Sequence, residues 1–404
     1  MSRLWLLCLM LLPAVCAAGD WPQFRGPTQQ GVSTETGLPV TWSETEHIAW
    51  KTELPGLGWS SPSIVGTQIW LTTALDDGHS LRALCLDLGS GRIVKDVEVF
   101  HKDDPGSIHK KNSHASPTPV IEDDRVYVHF GKHGTACLTT VGDIVWRTEL
   151  AYEHRHGPGG SPVVFENLLI INCDGTDTQY VVALDKRTGR EVWRQFRGDA
   201  SMAYSTPTLT AVNGRPVLVS CGGEWTVAYE PATGKELWRF RYPKGYSNVP
   251  RPAVAFGMAY VSSGYNTPTL YAVPLEAQGE LGTDDAVWKV TKGAPRNASP
   301  LIAGDELYMV SDNGIVTCLD ARTGAQHWQE RVGGDCSASP LFADGRIYIT
   351  NETGETTVLA AGTSYQELAK NALPGRTLAS LATADGAFFL RTDAALYRIQ
   401  QPRQ

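Results

Sequence analysis

Charge is sparse in this sequence. Only 19% of its 404 residues are charged, and 35 basic side chains face 43 acidic ones, for a formal net charge of -8. A nucleic-acid-binding protein carries a basic surplus, and a disordered chain is poor in apolar residues, whereas 42% of this chain is hydrophobic. Both classes are excluded, so no nucleic acid is expected as a partner. Beyond residue 18 no run is apolar enough to cross a bilayer as a helix. There is no adjacent cysteine pair, no C-x-x-C-H haem attachment and no nucleophile elbow. "GKHGT" from Gly131 lacks the second glycine that a phosphate loop places before its lysine. Hydrolase chemistry has no support. Turn and strand residues, by contrast, are plentiful: 40 Gly and 24 Pro accompany 12 Trp and 14 Tyr. That many chain reversals with that many aromatics point to an all-β protein of short strands.

The amino terminus reads as a secretory signal over 1–18. Arg3 precedes an apolar run from Leu4 to Ala18, broken by Pro13 and followed by small residues. About 15 apolar residues fall short of the roughly 20 that span a bilayer. Lipid anchoring at Cys16 is disfavoured, because Pro13 stands where a lipoprotein signal has a bulky aliphatic residue. The expectation is an exported protein, periplasmic or extracellular. Six cysteines then remain, and Cys85, Cys137 and Cys318 recur in the similar contexts "ALCLD", "TACLT" and "VTCLD". Equivalent places in different repeats lie too far apart to be bridged, so most are read as small core side chains.

Periodicity organises the rest. A Ser-Pro or Thr-Pro followed by an apolar run returns at intervals of 40–55 residues, with markers at Pro62, Pro117, Pro162, Pro207, Pro252, Pro300 and Pro340 and a weaker one at Leu381. Each copy continues through an alternating strand and a third strand, and in four copies Gly142, Gly189, Gly234 and Gly324 stand four residues before a Trp, as in "ALDKRTGREVW" ending at Trp193 and "CLDARTGAQHW" ending at Trp328. Asp185 or Asp320 can hold the turn backbone, and the Gly supplies a positive φ. Four short strands make a sheet that must stack on its neighbours around an axis. The eighth copy ends without its Gly-to-Trp strand, and "IAWKTEL" from Ile48 matches "IVWRTEL" from Ile144. The fold expected is therefore an eight-bladed β-propeller of four-stranded antiparallel blades, closed by a strand near 47–54 that completes the last blade. Residues 19–46 form an N-terminal extension, 47–404 the propeller, and a monomer is expected.

The repeats "LDKRTGREVW", "YEPATGKELW" and "LDARTGAQHW", with the leading "DWPQFRGP" from Asp20, resemble the pyrroloquinoline quinone (PQQ) repeat family over about Asp20 to the C-terminus. That resemblance implies the propeller. It also brings two kinds of activity into view, because the family holds quinone-dependent dehydrogenases as well as a propeller of the outer-membrane assembly machinery. The dehydrogenases use a vicinal disulfide, a Trp under the quinone, a calcium held by Glu and Asn, and an Asp base. This sequence has no adjacent cysteines, which puts PQQ with calcium in doubt as cofactors. Trp225 is the candidate stacking platform and Glu224 the candidate cation ligand; packing between blades is the alternative for Trp225.

The segments that link one blade to the next gather at one mouth of a propeller, and here they are rich in basic residues. The linker from His101 to Ala115 carries His114, and "EHRHGPGG" from Glu153 carries His154, Arg155 and His156. Arg251, Arg296 and Arg376 follow in later linkers. Such a mouth attracts anions whatever the net charge. His114, Arg155, His156, Arg251, Arg296, Arg376 and Trp225 are the ligand-binding candidates. His154, His156 and Glu224 are weak metal candidates, and no catalytic residue is assigned. The first reading is an exported, non-catalytic propeller that binds a protein, a glycan or a small anionic ligand at this face. A short PQQ-dependent dehydrogenase and an envelope assembly scaffold are the alternatives.

Overall fold

The computed structural model describes residues 19–198 and 201–402. The expected signal segment, with Cys16, lies outside them. The described chain forms eight separate sheets, seven of four strands and one of five. Blade 1 runs outward from Ser63–Val65 through Gln68–Leu75 and Ser80–Asp87 to Ile93–His101. The last blade holds Ala382–Ala384, Ala387–Arg391 and Ala395–Gln400, and its outer strand is Ile48–Glu53, in register through Trp50 opposite Arg398 and Lys51 opposite Tyr397. The ring closes as the repeat pattern requires. Blade 4 gains its fifth strand when Gly279–Leu281 pairs parallel with Glu236–Arg241.

The burial patterns explain why these segments are strands. The two middle strands of a blade are covered on both faces by neighbouring blades, so Leu168–Asp174 is buried throughout. Outer strands meet water on one face and alternate, as in Ile48–Glu53. At four blade junctions a turn glycine packs against a tryptophan of the preceding blade. Gly189 has φ +72°, and a Cβ there would lie 2.6 Å from the ring of Trp146 in the preceding blade. Trp146 Nε1 donates to the Lys186 carbonyl of that same turn at 3.0 Å. Gly234 receives Trp193, and Gly91 of blade 1 receives Trp50 of the last blade. Only glycine both adopts this backbone and leaves room for the indole.

One register needs correction. Inner strands begin one residue after the marker proline, and in blade 2 the strand is Val120–Glu122. Its marker is therefore Pro119, not Pro117; the tandem "SPTP" misplaces the copy by two residues. All six described cysteines are free and buried, as the repeat argument expects. No helix of the described residues is long and apolar enough to cross a membrane.

Residues 21–35 lie across the inner strands at one end of the axis. Trp21 exchanges backbone hydrogen bonds with Ile64 of blade 1, and the Pro22 carbonyl accepts from Ile121 of blade 2. Gln29 Oε1 accepts from Leu209 N–H, Gln30 Oε1 from Val254 N–H, and the Ser33 amide donates to the Phe342 carbonyl. Five blades are thus tied together by this one segment.

Candidate functional site

Strand alternation carries the residues one and three places before each marker proline to the same side, and that side faces the axis. The eight residues at the third place, Trp59 and Tyr204 among them, all line one cavity of about 960 Å³. The residue immediately before the proline is Ser or Thr in seven blades, and these seven line it too. They form a girdle. Ser61 N–H donates to Thr118 Oγ1 at 3.0 Å, Thr118 N–H to Ser161 Oγ at 2.9 Å, and Ser161 N–H to Thr206 Oγ1 at 2.9 Å. Arg251 N–H donates to Ser299 Oγ, Ser299 N–H to Ser339 Oγ and Ser339 N–H to Ser380 Oγ, at 2.9–3.0 Å. Ser380 N–H returns to Ser61 Oγ at 3.1 Å. Arg251 interrupts the hydroxyls, so Thr206 N–H finds none in the next blade.

The cavity has a floor and a strap. Phe24 of the amino-terminal segment lines it, and its carbonyl accepts from Arg251 Nη1 at 2.6 Å. At the other end the linker between blades 1 and 2 spans the mouth. Lys111 Nζ lies 2.9 Å from Glu352 Oε1 and 3.8 Å from Asp335 Oδ2, both in the seventh repeat. Asn112 Nδ2 donates to the carbonyls of His156 and Pro158 at 2.7 and 3.0 Å.

The mouth is chemically two-sided. Along one arc the His156 ring lies 5.8 Å from Tyr204, 6.5 Å from Tyr246 and 5.6 Å from His109. On the other side Arg296 stacks over Tyr265 at 4.8 Å, and its N–H donates to Asp312 Oδ1 at 3.0 Å. Burial raises the Asp312 carboxyl above its ordinary range, against that hydrogen bond and the nearby Arg296 and Lys111 charges. Much of the linkers' positive charge is matched locally, with Lys102 2.7 Å from Glu149 and Lys132 2.7 Å from Glu153.

Beneath the root of the strap a row of histidines is buried. His114 lies 5.9 Å from His133, which lies 5.5 Å from His154. His129 is joined to them through Tyr152, whose hydroxyl is 3.3 Å from His129 Nε2. Burial lowers all four: His129 and His154 to about 3, His133 to about 4, and His114 below its ordinary value. They are neutral at pH 7.

The cavity brings together two of the sequence candidates, Arg296 and His156. Arg376 borders it, 5.7 Å over the Trp59 ring and 3.8 Å from Glu352. Arg155 is exposed and His114 buried, and neither lines it. Arg251 is 1% exposed, with its guanidinium donating to Thr208, Pro207, Gln29 and Phe24. Trp225 lies away from the axis between Arg239 and Arg241, at 5.1 and 5.4 Å, and Glu224 is 4.0 Å from Arg241. His154 belongs to the buried row. Sequence reasoning passed over the hydroxyl girdle, Trp59 and Tyr204. Their signal in the sequence is the alternation just before each proline, which marks the repeat and at the same time builds the axial surface.

A family model described as outer membrane protein assembly factor BamB matches residues 177–281 and 276–394, more than half of the chain. The chain belongs to this PQQ-like repeat family. Among curated relatives, the BamB of Shewanella oneidensis is 27% identical over 208 residues, covering 47% of this chain and 50% of that protein. The 1-butanol dehydrogenase (quinone) of Thauera butanivorans is 34% identical over 107 residues, covering 24% of this chain and 15% of that protein. The chain thus spans about half the length of the BamB relative and a smaller part of the dehydrogenase. Among solved structures, BamB from Moraxella catarrhalis matches with a TM-score of 0.60 at 14% identity, over 88% of this chain and 99% of that one. A europium-containing methanol dehydrogenase matches with a TM-score of 0.68 at 12% identity, over 93% and 90%. These structural likenesses concern the fold.

PQQ with calcium is the cofactor pair that the dehydrogenase branch implies, and the residues here do not suit it. No three His, Cys, Asp or Glu among the described residues are grouped to hold a metal ion. The acids near the cavity are engaged, Asp312 by Arg296 N–H and Asn297 Nδ2, and Glu352 by Lys111 and Ser337. The six described cysteines are free, so none of them forms the disulfide cover of those enzymes.

Proposed function

We propose that this protein is an exported, non-catalytic propeller that binds a ligand or partner in the funnel under the strap. The observation that carries the reading is that every repeat sends its third residue before the marker into one cavity of about 960 Å³, a size within the ordinary range for ligand sites. The lining combines aromatic faces, hydroxyls and a few charged groups, the mixture that orients a bound molecule. Kinship with BamB supports a binding role, and kinship with quinone dehydrogenases makes redox chemistry the competitor. The test is turnover. The purified protein, supplied with PQQ, calcium and an artificial electron acceptor, is expected to oxidise neither primary alcohols nor sugars. Sustained oxidation would overturn the reading.

A further inference from the structure

The girdle leaves one valence unused in each of the seven blades that carry a hydroxyl. Every one of its seven hydroxyls accepts an N–H from the preceding blade, which engages a lone pair. None donates its own O–H to a protein acceptor among the described residues. All seven are more than nine-tenths buried, Ser161 and Thr206 at 3% exposed and Ser339 and Ser380 at 7%. A buried donor without an acceptor is costly, and seven of them face one cavity. At the break made by Arg251, the Thr206 amide has no girdle hydroxyl to bond, and Thr206 lines the cavity beside Ser161. The two carboxylates that line the cavity, Asp312 and Asp335, stand near the linkers and not in the girdle.

Donors without acceptors suit a group that brings oxygens and no protons. We propose that the girdle is an oxyanion site, which receives the carboxylate or phosphate of a ligand whose body lies against the aromatic arc of His156, Tyr204 and Tyr246. The inference rests on the binding reading above and names the chemistry of its ligand. Lys110 and Arg296 line the entrance, where their charge attracts anions, while Lys111 beside them is paired with Glu352. Below them, neutral hydroxyls replace the water of the oxyanion by fixed dipoles.

Calorimetric titration of the full chain with phenyl phosphate, benzoate and inorganic phosphate tests this, with benzamide as the neutral control. Phenyl phosphate and benzoate are expected to saturate and to displace each other, while benzamide does not compete. The double change Ser161→Ala with Thr206→Val should weaken both by about tenfold, the effect of one or two lost hydrogen bonds. Tyr246→Ala should weaken the two aromatic probes and leave inorganic phosphate unchanged. Should the double variant fail to fold, Ser339→Ala alone, with a loss of about threefold, answers the same question. No saturable binding by any oxyanion, equal binding of benzamide, or affinities unmoved by the girdle changes would each overturn the proposal. The turnover assay judges the binding reading independently, so the two can fail separately.

Discussion

Arg251 Nη1 donates to the Phe24 carbonyl at 2.6 Å, joining the one blade that lacks a girdle hydroxyl to the segment that floors the channel. Its other bonds reach Gln29 Oε1 at 2.5 Å, Pro207 O at 2.8 Å and Thr208 Oγ1 at 3.1 Å. All are neutral acceptors, and burial with the nearby charge of Arg25 drives the guanidinium well below its usual pKa range. Replacing it as Arg251→Met would strand these acceptors. The expected cost is about 3 kcal/mol in denaturant unfolding, together with faster tryptic cleavage after Arg25. A loss below about 0.5 kcal/mol with unchanged cleavage would show that the floor is held by other means.

Acid should act through the buried histidines. An unfolded histidine titrates near 6.5, whereas His133 is lowered to about 4, and His129 and His154 to about 3. The folded state therefore keeps these rings neutral while the unfolded state takes up protons. Their stabilisation is fully present above pH 6.5 and is lost as the pH falls towards 4 and then 3. Unfolding free energy should drop between pH 6.5 and 4 by up to about 1.4 kcal/mol per pH unit for each of them. His154→Gln should flatten that slope by one proton. Identical slopes in the two proteins would contradict the assignment.

The strap ion pair should matter for access more than for stability. Lys111 is about one-third exposed and Glu352 nearly buried, and such a partly solvated pair contributes about 1 kcal/mol or less. Lys111→Met should leave the melting temperature almost unchanged while trypsin cuts faster after Lys110. Unaltered cleavage would mean that the remaining bonds, from Asn112 and the His109 amide to the carbonyls of residues 156 and 158 and from Arg376 to the Lys110 carbonyl, hold the strap down.

Most of the fold was legible because the propeller repeats the same constraints from blade to blade. The glycine before Trp193 or Trp328 has to adopt a positive φ, and a proline precedes almost every inner strand, so each copy corroborates the others. The one slip, at Pro117, came where two prolines stand two residues apart and the strand register alone could choose. The candidate site was less legible. Arg251 looks like any linker arginine in sequence, yet burial against residues 24 and 29 turns it inward, a contact between distant parts of the chain. Trp225 sits in a turn-like context but packs under two arginines of the next strand. Local charge pointed to basic linkers, and the structure sets acids such as Glu149, Glu153 and Glu352 beside several of them. Local charge could not foretell that Lys111 would cross the mouth to Glu352.

The account depends most on ring closure, and hydrogen exchange at Ile48–Glu53 tests it directly. The strand pairs with Ala395–Gln400 along one edge, and Trp50 Nε1 donates to the Leu88 carbonyl of blade 1 at 3.1 Å. Its inward-bonded amides should exchange as slowly as those of the outer strand Glu191–Phe196, and deleting residues 395–400 should release both the protection and the soluble fold. Exchange of those amides within seconds, with the other blades still protected, would contradict the closed eight-bladed ring.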